Sequence, residues 1–568
     1  MADIAVEEFA LAKEYLEKKF EEHPDKALVN QKLRDLQPRT GWSLINELIQ
    51  NAIDLKATEI KFTLFPNGDL QFQHNACIQE YPLNHRAIIG LCTIAESTKG
   101  LDTVGFMGIG FKFFTKFFSS VDVSDGMINF RINYPSTGNW ETKISKLHSP
   151  ELLESKSEIE DGYSTSFKFH GPLEEVRPKI AEVFKNQELE NFTLYVKKGL
   201  SKIIFEDRSD EEEISNDEII GNYDGNNTIK ISKGEESIQN YVIGESMTAS
   251  EEGKQFVVNK RSVELKSVKE DKVNRTVSLV VRLEEQDNKI IPKPRTGRLF
   301  CLVPLTESKF PFDIGLDADW FMDPERKSLE LESEAKKWHS EMVIPTLPLL
   351  IKKFLLSIDS DAIADVRRES TDIFPDFRDS NWQERKQNMP DRIIQIGDQF
   401  DFLDSEDFKS TLSEILLSTP FLLNTEGDIV CPKDVKMIEE KPGGESKYNS
   451  RARGYQYTEE MNLEKYKQFL QCFKTPLVDR YAISNTTIEY LEYLELLDFP
   501  DISDIDVVKI RKIWDPKRPS DYLHVLDILS SIWGVKGGSL EVIPLKNGNW
   551  AGLFDESIVF EKLPSEPN

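Results

Sequence analysis

Apolar residues in the first 22 positions, Ile4, Ala5, Phe9, Ala12, Tyr15, Leu16 and Phe20, recur close to every 3.6 residues. That period predicts an amphipathic helix over 3–22. A second helix is expected over about 41–57, "GWSLINELIQNAIDLKA", with Ile45, Leu48, Ala52 and Leu55 on one side. The rhythm then changes: "TEIKFTLFPNGDLQFQHNA" alternates apolar and polar residues on both sides of Pro66-Asn67-Gly68-Asp69. Two strands joined by a tight turn have this pattern. A helix over about 85–95, a glycine-rich loop, a helix over about 109–117 and the strands "SVDVSD", "MINFRINY" and "GYSTSFKFHG" follow. The order implies an α+β sandwich built on one mostly antiparallel sheet.

Residues 176–345 again mix strands, such as "SKIIFED", "VSLVVRLEE" and "GRLFCLVPL", with helical stretches, and read as a second α/β domain. Beyond 346 the pattern becomes mainly helical and acidic. Two similar phrases interrupt it, "PFLLNTEGDIVCPKDVKMI" and "EVIPLKNGNWAGLFDESIVF", each a short strand, a glycine turn and another short strand. Two copies without a short fixed period are small β elements on a helical scaffold, not a solenoid. A chain of 568 residues exceeds one core, so the division expected is 1–175, 176–345 and 346–568.

Charge narrows the function. Lys and Arg total 71 against 99 Asp and Glu, a net charge of −28, which disfavours general nucleic-acid binding through phosphate contacts. The run "SDEEEISNDE" reads as a solvated loop. Cys77, Cys92, Cys301, Cys431 and Cys472 are scattered without a C-x-x-C pair, as reduced thiols in a cytoplasmic protein would be. The N-terminal stretch lacks the basic and apolar regions of a signal peptide, and no apolar run is long enough to span a bilayer. A cytoplasmic protein without a membrane partner is expected.

Two features carry candidate chemistry. "VGFMGIGFKFF" places Gly105, Gly108 and Gly110 within six positions, and such a cluster is tolerated where the chain turns sharply or something approaches the backbone closely. It is neither a Walker A loop nor a G-x-G-x-x-G fingerprint, so a phosphate cradle and a turn that only packs "FKFFTKFF" on a sheet both remain open. On the second helix, Glu47, Asn51 and Asp54 stand at i, i+4 and i+7, on one face. Such a stripe is a helix's wet side or a site. No Lys or Arg stands in it to suggest surface ion pairing.

Taken together, "ELIQNAIDLKATEIKF", "STKGLDTVGFMGIGFKFF" and "GYSTSFKF" resemble the ATP-binding domain of the GHKL superfamily, within it most the sacsin-like, heat-shock-90-type branch. The resemblance covers 30–345 well and the rest loosely. It implies a Bergerat-type ATP-binding sandwich, a transducer-like second domain, and ATP with Mg2+ as cofactors. Glu47 matches the general base, Asn51 the magnesium ligand, and Asp54 a group beside the adenine or behind the ligands. Gly105, Phe106, Met107, Gly108, Ile109, Gly110, Phe111 and Lys112 match the phosphate loop, Ser97, Thr98 and Lys99 the start of a mobile lid, and Thr165 a threonine near the base. Arg326, in "MDPERKSLE", matches a basic group that reaches the γ-phosphate, or pairs with Glu325 or Glu330 at the surface. Where the superfamily has Asp-x-Gly-x-Gly, this chain has His74, Asn75 and Ala76. An imidazole or carboxamide can accept one hydrogen bond there without a carboxylate's charge assistance.

The resemblance further implies a homodimer through the N-terminal helices and a protein client or effector subunit. Two readings follow. One is a slow chaperone-type ATPase. The other is a nucleotide-gated sensor or scaffold subunit with little hydrolysis, in a bacterial antiviral defence or stress complex. A histidine kinase is disfavoured, because no phospho-acceptor helix pair precedes the glycine loop.

Overall fold

The computed structural model describes residues 2–22, 42–76, 85–92, 114–125, 128–133, 150–154, 159–210, 213–262, 274–286, 289–295, 297–322, 328–359, 364–374, 400–437, 468–469, 471–479, 482–498, 504–514, 525–526, 529, 540–545 and 549–552. Two units emerge: Met1–Leu350 with Gln383–Ser405, and Ile351–Trp382 with Glu406–Asn568. No helix among the described residues is long and apolar enough to cross a membrane.

The first unit is organised by one mixed sheet. Helix α1 (Ala2–Glu22) and helix α2 (Trp42–Asp54) precede strands β1 (Glu59–Leu64) and β2 (Leu70–His74); helix α3 (His85–Cys92) comes next. Then come β3 (Ser120–Ser124), β4 (Asn129–Asn133), β5 (Pro150–Leu152), β6 (Thr165–His170), helix α4 (Arg177–Lys185) and β7 (Lys202–Asp207). The expected hairpin forms with Phe62 opposite Phe72, and its turn closes through Gly68 N–H to the Phe65 carbonyl at 2.8 Å. Gly68 has φ +83°, a conformation open to glycine at little cost.

Further strands β8 (Ser215–Tyr223), β9 (Thr228–Lys233) and β10 (Glu236–Thr248) precede helix α5 (Glu251–Ser262). The unit continues with β11 (Asn274–Gln286), β12 (Lys289–Pro292), β13 (Arg298–Cys301), β14 (Val303–Lys309) and β15 (Gly315–Asp317), ahead of helix α6 (Ser333–Ser357). The sheet order is β14-β13-β15-β11-β10-β9-β8-β7-β1-β2-β6-β3-β4-β5, with β12 paired to β11. The β1–β7 and β13–β15 pairings are parallel and the others antiparallel. Through β1–β7, strands from both 1–175 and 176–345 join one sheet.

Strand alternation gives this sheet two unlike faces. Ile60, Phe62, Leu70, Phe72, Phe169, Val121, Val123 and Phe130 are buried on one, where rings stack: Phe62 on Phe205 at 5.2 Å and Phe114 on Phe169 at 4.3 Å between centroids. Helices pack there, α1 through Phe9 against Phe130 and α2 through Trp42 against Phe205. Lys61, Thr63, Gln71, Gln73, Ser166, Lys168, Asp122 and Arg131 alternate onto the other face.

In the second unit the two similar phrases fold alike. Leu422 pairs with Val430, and Ile543 with Ala551, in two short antiparallel hairpins. An arginine braces each: Arg367 donates to the Phe421 carbonyl and Arg511 Nε to the Glu541 carbonyl at 2.8 Å.

Candidate functional site

Helix α2 is amphipathic, with an aliphatic side and a polar side. Leu44, Ile45, Leu48, Ile49, Ala52 and Ile53 are buried, and the indole N–H of Trp42 donates to the Asn186 carbonyl. On the polar side the helix also buries a carboxylate and a carboxamide, Glu47 at 3% exposure and Gln50 at 1%. Asn51 and Asp54, one and two turns beyond Glu47, are half-buried. The polar stripe is thus not a wet side at its Glu47 end.

The helix stops in a defined way. Lys56 adopts the left-handed conformation at φ 66°, its N–H donates to the Ile53 carbonyl at 2.9 Å, and the Ala57 N–H donates to the Ala52 carbonyl at 2.9 Å. This is a Schellman closure with a non-glycine residue at its turning point. It delivers the chain at once into β1. Asn75, just past β2, fastens that entry: its Oδ1 accepts from the N–H groups of Thr58 and Glu59, both at 2.9 Å, and its Nδ2 donates to Thr58 Oγ1.

His74 and Thr165 stand opposite each other where β2 and β6 pair, and both are buried. The imidazole lies beside the rings of Phe72 and Phe167. Burial pushes its pKa down to about 4, so the ring is neutral at pH 7. Its Nδ1 accepts from the Ala76 N–H at 3.3 Å, which leaves the proton on Nε2. Between them, Asn75 and His74 place their acceptor atoms on the chain's own amides.

Asn51 and Asp54 stand at the C-terminal end of α2, which leads through residues 55–58 into β1, and Ile60 of β1 pairs with His74, opposite Thr165; Glu47 is one turn before Asn51. Ser97, Thr98, Lys99, the loop Gly105, Phe106, Met107, Gly108, Ile109, Gly110, Phe111 and Lys112, and Arg326 lie outside the described residues. Among the described residues, no group of three or more His, Cys, Asp or Glu is arranged to hold a metal ion.

Sequence reasoning passed over Gln50, whose burial no period could reveal, and the network on the opposite sheet face. There His170 bridges two carboxylates, Nδ1 to Asp69 at 2.9 Å and Nε2 to Asp122 at 3.0 Å, while Arg131 Nε donates to Asp122 at 2.6 Å. The hydrogen bonds to Asp122 and Asp69 raise the His170 pKa to about 9. Burial alone would raise that of Asp122, but Arg131 and His170 hold it down to about 2. Beside them Lys61 pairs with Glu160 at 2.6 Å and Glu206 at 3.1 Å. The signal was present in the polar alternate positions of "IKFTLFPNGDLQFQ".

No family model matches the chain, and no curated protein does. Among solved structures, the chain is similar to the 43K ATPase domain of Thermus thermophilus gyrase B in complex with an aminocoumarin, at 13% identity and a TM-score of 0.23. The likeness covers 46% of this chain and 61% of that one, so the chain spans about three fifths of the length of that domain.

Proposed function

We propose that the chain is a nucleotide-binding protein of the GHKL kind, with ATP and magnesium held against helix α2. The observation that carries this reading is Glu47, a carboxylate kept at 3% exposure on the polar side of the helix. Ionisable groups kept in buried positions concentrate at functional sites. Asn51, half-buried one turn on, offers the neutral oxygen that suits a hard ion already bridged by phosphates. Asn51 would hold magnesium, which would supply polarisation of the γ-phosphate, and Glu47 would orient and deprotonate the attacking water. Asp54, His74 and Thr165 border the base, and the 105–112 loop supplies backbone N–H groups to the phosphates. In this reading Arg326 approaches the γ-phosphate, the segment from Ser97 to Gly110 closes over the nucleotide, and turnover is slow. Two copies pair through their N-terminal helices and act on a protein client.

A second reading is a nucleotide-gated sensor or scaffold that binds without useful turnover, as part of a defence or stress complex. The bonding of His74 and Asn75 favours it, since the charged acceptor for an adenine amino group is replaced by groups engaged with main-chain amides. Calorimetry with ATP and magnesium tests binding, and phosphate release from wild type and Glu47→Ala separates the two readings. Absence of binding by wild type would remove both.

A further inference from the structure

Away from α2, the first turn of α5 and the start of α6 enclose a cleft of about 310 Å³. Half-buried Phe256 and buried Trp338 form its apolar floor; behind them Phe256 packs edge-on against Phe321 at 4.8 Å, and Phe321 against Trp338 at 6.2 Å between centroids. The Trp338 indole N–H donates to the Asp319 carbonyl at 3.0 Å, which fixes that ring.

Three carboxylates line the cleft, Glu252, Glu334 and Glu341, against one ammonium, Lys337. Glu341 accepts the Ser250 N–H just ahead of α5. Lys337, on α6, reaches Glu252, on α5, so the cleft already receives an ammonium group from its own chain. Glu334 makes no hydrogen bond or ion pair among the described residues.

We propose that this cleft docks a lysine or arginine side chain from a basic segment of a partner protein. Charge complementarity selects the occupant: after Lys337 is counted, two negative charges remain. The half-buried ring of Phe256 can attract a cation, and the apolar floor suits the methylene stem of a long basic side chain. An incoming cation takes the place of Lys337 on Glu252, as exchange between like partners requires. The bland alternative is an ordinary acidic surface on a chain of net charge −28, which would attract polycations anywhere.

Fluorescence anisotropy of a labelled hexalysine peptide, at constant ionic strength on the full chain, separates the two. The double variant Glu252→Gln/Glu334→Gln should weaken binding by about fivefold or more, while the control Glu235→Gln/Glu236→Gln, which removes the same charge from an exposed turn, leaves it unchanged. Lys337→Ala should tighten binding about threefold, because it frees Glu252. Melting curves confirm that each variant is folded. Equal losses in the two double variants, no measurable binding by wild type, or unchanged or weaker binding in Lys337→Ala would each overturn the proposal.

Discussion

The two faces of the sheet around β1 and β2 are made by alternate residues of the same strands, yet they handle polar groups in opposite ways. On one face charge is plentiful and mutually engaged: Lys61 with two glutamates, His170 between two aspartates, Asp122 with Arg131. On the other, the buried polar groups include two from the strands and two from the helix. They are His74 and Thr165 from the strands and, from the helix packed there, Glu47 and Gln50. Density of charge is therefore greatest on the face away from the proposed site. An engaged network stabilises architecture, whereas the proposed function places its chemistry at the buried carboxylate of the helix-covered face.

Variants on the two faces should separate these roles. The largest effect is expected for Glu47→Ala, which should lower phosphate release by about 10²–10⁴-fold while retaining nucleotide binding; turnover at the wild-type rate would make Glu47 a structural residue. On the same face, Phe72→Ala should destabilise by about 3–5 kcal/mol, read from urea unfolding, because its ring lies within 4.8 Å of Phe62 between centroids with no room to collapse. Asn51→Ala should keep the wild-type melting temperature but lose the stabilisation that ATP with magnesium confers. A variant still stabilised to the wild-type extent would take Asn51 out of the site.

The charged face predicts a pH dependence. His170 is raised from 6.5 to about 9, so its contribution is fully present below about pH 6.5 and is lost as pH rises through 9. Asp122, lowered from 3.8 to about 2, contributes above about pH 3.8 and loses that contribution as pH falls through 2. After allowance for solvent screening, His170→Gln should remove about 1–2 kcal/mol at pH 6 and flatten the stability profile between pH 7 and 9. A profile that keeps its wild-type slope would show the imidazole to be uncharged. The smallest effect belongs to Gln73→Met. Both amide atoms of Gln73 are buried without a partner among the described residues, so a similar-sized apolar side chain should leave stability unchanged or raise it by about 1 kcal/mol.

Much of this was legible in the sequence where local rules decide. The helix over 41–57 is observed as Trp42–Asp54 and the Pro66–Asp69 turn as a hairpin, because 3.6-residue and two-residue periods leave few alternatives. The parallel pairing of β1 with β7 could not be read, since the choice between strands far apart in the chain depends on packing. Nor could the sequence distinguish His74 from Asn75 as hydrogen-bond acceptors. That depended on the left-handed Lys56, which sets Thr58 and Glu59 within reach of Asn75. The similar hairpin phrases did announce themselves as short strands about a glycine turn, and the structure supplies the pairs, Leu422 with Val430 and Ile543 with Ala551.

The parallel β1–β7 pairing has a consequence for biosynthesis. Ser201, at the threshold of β7, bonds to Thr58 across 143 residues. At about 5–20 residues per second, the ribosome needs roughly 7–30 s to supply the second strand after the first has emerged. During that interval the hairpin of β1 and β2 presents an unpaired strand edge with Phe62 and Phe72 on one side of it, the kind of surface on which nascent chains pair wrongly. The chain completes its central sheet late, and the waiting time is set by translation and not by diffusion.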